Sequence, residues 1–203
     1  MTSKSFIIIG EKKMGMILFP GLDATKTARR VEFIDGLIDI MTAHKIYKGL
    51  PYTITEEAFV SKIQIPLRDG LADLFAREYP RNSAKWCEDT AEKALICEKD
   101  TTVTVNNTVF FGTQHRPDMY IRENNYRIAL EYKIVKTGDM IRAALGQCLV
   151  YASDYDFVVC LLLDVTKDGK IRRAFLKGEK EKRLLDELWN RFGIKVIVVE
   201  PNM

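Results

Sequence analysis

The chain has 203 residues, 47% hydrophobic and 29% charged, with a formal net charge of +3. This suits a folded protein, as one domain with an extension or two small domains, and excludes a disordered chain; the mild charge neither demands nor excludes nucleic acid. No apolar run approaches the ~20 residues of a membrane span, and Ser5 to Gly10 is too short for a secretory signal, so a cytoplasmic protein without a membrane partner is expected.

The first elements read as a hairpin of Phe6–Ile9 with Met14–Phe19, turning over Gly10-Glu11-Lys12-Lys13. A helix follows from Thr25 to about Ile46, with Val31, Ile34, Leu37, Ile38 and Met41 on one face, and Gly49-Leu50-Pro51 breaks it. Thr55 caps a short helix to about Ile63, and Pro66 starts another, to about Tyr79, with Leu67, Leu71, Leu74 and Phe75 inside. Residues 1–80 thus form a mostly helical extension. It is either a helix-turn-helix-like unit that binds DNA or a set of helices that packs on the rest of the chain or makes a dimer contact. Arg77 to Arg81 leads out of it.

Asn82 or Ser83 caps the next helix, which runs to about Ile96 with Cys87, Ala91, Ala94 and Leu95 as its apolar stripe. Glu88 lies at the edge of that stripe, and Glu92 further round. Val103–Val105 and Val109–Phe111 read as strand, or as a hairpin through Asn106-Asn107. His115 then has two readings, a substrate-side contact or extra ligand, or a loop histidine without a role.

Asp118 begins the most informative stretch. It lies in the short apolar segment Pro117–Ile121; Glu131 and Lys133 lie in a second, Tyr126–Val135, and Glu123-Asn124-Asn125 between them is a turn signal. In the resulting hairpin Glu131 and Lys133 share one face while Tyr132 takes the other. An aspartate on the neighbouring strand completes a pair of carboxylates with an ammonium beside them. Paired carboxylates are a hard oxygen site of the kind Mg²⁺ prefers, and an adjacent lysine can steady developing charge.

Thr137-Gly138-Asp139 ends the second strand, and Met140 to Tyr155 reads as a helix with Ile141, Ala144, Leu145, Cys148, Leu149 and Ala152 as its stripe. Gln147 and Tyr151 stack four apart at the flank of that stripe. The uninterrupted run Phe157–Leu163 reads as a strand covered on both faces, parallel to its predecessor. After a turn through Asp164–Gly169, Lys170–Leu176 reads as a further strand, Glu179–Phe192 as a helix ended by Gly193, and Lys195–Glu200 as a last strand stopped by Pro201. The basic run Lys177–Arg183 either tracks a phosphate backbone or is a solvated face.

The order of these pieces resembles the PD-(D/E)xK nuclease superfamily. Pro117-Asp118 followed by Glu131-Tyr132-Lys133 matches its signature, and Gln147-Cys148-Leu149-Val150-Tyr151 matches the Gln-x-x-x-Tyr helix of its RecB-like branch. The resemblance runs from Ser83 to Leu163. It implies an α/β fold with a restriction-endonuclease-like core, a mixed central sheet flanked by helices, over residues 81–203. It implies that Asp118, Glu131 and the Tyr132 carbonyl hold Mg²⁺ or Mn²⁺, and that Glu88, or Glu92 in reserve, adds an acid from the first helix. Lys133 would orient or deprotonate the attacking water, Gln147 would orient the site and Tyr151 would reach the substrate backbone. The expected activity is phosphodiester hydrolysis in DNA, with RNA not excluded and a homodimer left open. The alternative is a non-catalytic nucleic-acid-binding or assembly protein that kept the fold. Some RecB-like members carry an iron–sulfur cluster on cysteines near the C-terminus. Here the four cysteines end at Cys160 and include no C-x-x-C pair, so no cluster is expected.

Overall fold

The computed structural model describes residues 7–9, 12–14, 24–98, 108–123 and 126–202. Strands β1 (Ile7–Ile9) and β2 (Lys12–Met14) pair antiparallel, a tighter hairpin than the sequence suggests. Helix α1 (Ala24–Met41) is followed by one short turn, α2 (His44–Tyr47), so the helix expected to reach Ile46 stops at Met41.

The two short helices expected around Ile63 and Pro66 are one helix, α3 (Glu56–Glu78), with Pro66 inside it. Phe59, Ile63, Leu67, Leu71, Leu74 and Phe75 form an unbroken buried stripe along it. Packing of that stripe outweighs the single hydrogen bond that Pro66 cannot donate. The turn on which the helix-turn-helix reading rested is therefore not formed there. Thr55 does cap α3, its Oγ1 accepting from the Ala58 N–H at 3.3 Å. Ser83, rather than Asn82, caps α4 (Ala84–Ala94), accepting from the Trp86 N–H at 3.2 Å.

The main sheet begins with β3 (Leu95–Cys97), residues expected at the end of the preceding helix. A separate small hairpin, β4 (Thr108–Phe110) with β5 (Thr113–His115), turns through Phe111-Gly112. The expected strand Val103–Val105 and turn Asn106-Asn107 lie outside the described residues, as do Asn124 and Asn125. β6 (Met119–Glu123) and β7 (Tyr126–Val135) pair antiparallel as expected. Helix α5 (Gly138–Tyr151), capped by Thr137, leads to β8 (Phe157–Asp164), which pairs parallel to β7.

Residues 170–177 form a helix, α6 (Lys170–Lys177), not the expected strand. Asp164, fully buried at the end of β8, accepts hydrogen bonds from the Thr166 N–H (2.8 Å) and from the Arg172 N–H (2.9 Å) in the first turn of α6. Through Arg172 the carboxylate satisfies one of the donors that a helix start leaves open. α7 (Glu179–Phe192) ends at left-handed Gly193, and β9 (Ile194–Val199) pairs parallel to β8.

The molecule is α/β, with a mixed five-stranded sheet ordered β3-β6-β7-β8-β9 and helices on both faces. Alternation along β8 sorts the two faces. Phe157, Val159, Leu161 and Leu163 join a cluster with α1, α3 and α4, while Val158, Cys160 and Leu162 join one with α5, α6 and α7. The first cluster runs from Val31 and Leu74 to Leu130 and Leu161, with members on either side of residue 80. Among the described residues no helix is long and apolar enough to cross a membrane.

Candidate active site

The antiparallel register Met119↔Leu130 brings Asp118, just before β6, alongside Glu131 on β7. Asp118 is fixed by its partner strand, its Oδ2 accepting from the Tyr132 N–H at 2.7 Å. Tyr132 turns to the α3 side, where its ring meets Phe59 edge to face at 6.2 Å. Glu131 and Lys133 take the opposite parity, with Ala129 and Val135. The Lys133 Nζ lies 3.4 Å from Glu131 Oε1 and 2.7 Å from Glu56 Oε1.

Glu131 is only 2% exposed. Burial, followed by the nearby Asp118 charge, pushes its carboxyl up to about 8, against the pull of Lys133. Burial likewise lifts Asp118 to about 6, although the Tyr132 N–H and Lys133 oppose it; Glu56 and Glu98 add to the rise. Burial works to lower the Lys133 ammonium, but the Glu56 hydrogen bond and the charges of Glu131, Glu56 and Asp118 prevail and hold it above its ordinary value. The three expected groups therefore converge, with burial raising both acids and Glu131 the more.

Two acids here were not foreseen. Glu56 opens α3 directly after its cap and meets Lys133 across 77 positions of sequence. Glu98 follows β3, and its N–H donates to the Asp118 carbonyl at 3.0 Å. Only the acid beside a helix cap hinted at Glu56, and only its place after an apolar triplet at Glu98. Both line an open cavity of about 420 Å³ with Glu57, Val60, Ser61, Gln64, Cys97 and Asp118.

Glu88 is placed elsewhere. It is exposed on α4 and lines a different groove, of about 470 Å³, with Glu92, Asp89, Arg68, Asp69, Ala72 and Asp73. The acid that contacts Lys133 from a helix is Glu56 on α3. Tyr151 is 1% exposed, within the buried stripe of α5 rather than at its flank, and its hydroxyl donates to the Arg116 carbonyl at 2.6 Å. Burial first, then the Glu131 and Asp118 charges, push the Tyr151 hydroxyl above its ordinary range. Gln147 is half-buried one turn earlier, while Leu149, expected in the stripe, is 43% exposed. His115 meets the Thr113 hydroxyl within its own hairpin, Nε2 to Oγ1 at 2.9 Å. The run 177–183 is largely exposed.

Two crowded carboxylates fit a hard divalent ion, which is commonly held by one or two carboxylates and completed by waters or phosphate oxygens. Among the described residues no three histidine, cysteine or acidic side chains form a ready cage. Compared with family models, curated proteins and solved structures, the chain matches none.

Proposed function

We propose that this chain is a metal-dependent nuclease of the PD-(D/E)xK type, with a restriction-endonuclease-like core, hydrolysing phosphodiester bonds in DNA. The observation that carries the reading is the convergence of Asp118, Glu131 and Lys133 beside an open cavity. Asp118 and Glu131, with the Tyr132 carbonyl next in the chain, are the residues that would hold Mg²⁺ or Mn²⁺. When bound, the ion lowers the pKa of water and stabilises phosphate charge. Lys133 presents its ammonium to the phosphate oxygens and orients the attacking water. Glu56 holds that ammonium in place, and Tyr151 fixes the backbone before Pro117 through Arg116. Gln147 orients the site from α5, as the resemblance implies.

Asp118→Ala and Lys133→Ala should each reduce Mg²⁺-dependent cleavage of a mixed panel of single-stranded, duplex and branched DNA by at least about 100-fold. Circular dichroism should show both variants folded. Full activity in either one sinks the assignment, and strand binding without cleavage by the unaltered chain in Mg²⁺ or Mn²⁺ favours a non-catalytic binding protein. The same panel in RNA tests the polynucleotide class.

A further inference from the structure

The β4–β5 hairpin carries apolar surface outward. Val109 is 63%, Phe110 42% and Phe111 93% exposed. The Phe110 and Phe111 rings stand edge to face at 4.5 Å. Phe111 and Gly112 both have positive φ, 49° and 74°, which makes the tip a tight turn. Asn, Asp or Gly suits such a turn, and a bulky aromatic there is an outlier. Nothing in the pairing of β4 and β5 requires a ring at this position.

The location of the tip selects what it would touch. β5 runs through Arg116 and Pro117 directly into Asp118, and the Tyr151 hydroxyl ties Arg116 to α5 at the base of the hairpin. Extended chain rises ~3.3 Å per residue, so Phe111 stands at most about 23 Å from Asp118. That is the length of roughly seven stacked nucleotides. Arg116, exposed on the connecting stretch, adds a cation between tip and site. Exposed aromatic rings are a physical means by which proteins hold unpaired bases, because every base offers a flat π-face, and one nearby cation suits the strand's phosphates.

We propose that the Phe110–Phe111 tip is a stacking platform for the bases of a single nucleic-acid strand whose backbone passes the Asp118 site. The inference deepens the nuclease reading and rests on it for the path of the strand. Phe111 is the principal contact and Phe110 supports its ring.

The test is binding of fluorescein-labelled oligothymidylate in EDTA, which leaves cleavage out of the readout. Phe111→Ala should bind about tenfold more weakly than the unaltered chain, the loss of one base–aromatic stack. Phe111→Trp should retain affinity, and its added tryptophan emission should be quenched as strand is titrated in. Equal affinity of Phe111→Ala, no quenching of Phe111→Trp, or no strand binding by the unaltered chain overturns the proposal. A dimer that Phe111→Ala disperses in sedimentation also overturns it, since the tip would then cover a second copy. The two readings fail separately: loss of affinity without any cleavage would remove the nuclease and keep the platform. Asp118-dependent cleavage with unchanged strand affinity would do the reverse.

Discussion

Glu131 is buried beside Asp118, and its carboxyl is held at about 8 against an ordinary 4.5. A carboxyl raised in the folded state binds more protons there than in the unfolded chain. Its contribution is fully present below the ordinary value and is lost as pH rises through about 8. Asp118 acts in the same sense between 3.8 and about 6. Metal-free protein should therefore show a falling Tm from pH 5 to pH 8, and Glu131→Gln should flatten part of that fall. Mg²⁺ should restore the Tm of the unaltered chain most at pH 8 and do little for Glu131→Gln. Thermal melts by circular dichroism at both pH values check this, and equal slopes in the two proteins would contradict it. At this scale the strand pairing that sets Asp118 opposite Glu131 was legible, because period-two alternation is a local signal. It could not disclose Glu56, whose contact with Lys133 depends on packing of an entire helix.

Helix α3 shows how packing governs an element. It lies against α1 with so little clearance that a Cβ on Gly70 would sit 2.5 Å from the Ile40 Cγ2, and one on Gly36 2.7 Å from the Leu74 Cδ1. An alanine inside a helix ordinarily gains about 1 kcal/mol over glycine. Overpacking a tight contact costs about 1–3 kcal/mol. Gly70→Ala should therefore destabilise the protein by about 0–2 kcal/mol in urea unfolding, and a stabilised variant would show that the helices can move apart. The missed continuity of α3 has a related origin: Pro66 is a strong local stop, but the buried stripe passes through it with unchanged spacing. α6 was missed for the opposite reason. Its first turn is stabilised by Asp164, which belongs to the preceding strand and gave no local hint of a cap. β8, α7 and Gly193 were legible because burial on both faces, helical periodicity and a left-handed glycine each leave a mark within a few residues.

Across the whole molecule, α1 and α3 cover a sheet face that includes Leu130, Tyr132, Phe157, Val159 and Leu161. A chain starting at residue 80 would leave that face to water, so it should fail to give a cooperative melt and should bind hydrophobic dyes. A sharp transition from that fragment would instead indicate two independent domains, as composition alone allowed. The closing residues add a further tie. The Asn202 N–H donates to the Tyr47 carbonyl at 3.0 Å, its Oδ1 accepts from the Gly49 N–H at 2.9 Å and its Nδ2 donates to the Leu50 carbonyl at 3.3 Å. The bend that delivers α3, and with it the partner of Lys133, is thus held by a residue 153 positions downstream of Gly49. During synthesis at about 5–20 residues per second, this latch forms late. The nascent polypeptide would carry residues 47–50 past the ribosome before that bend is locked, so Glu56 would be set against Lys133 only once the chain beyond β9 has emerged.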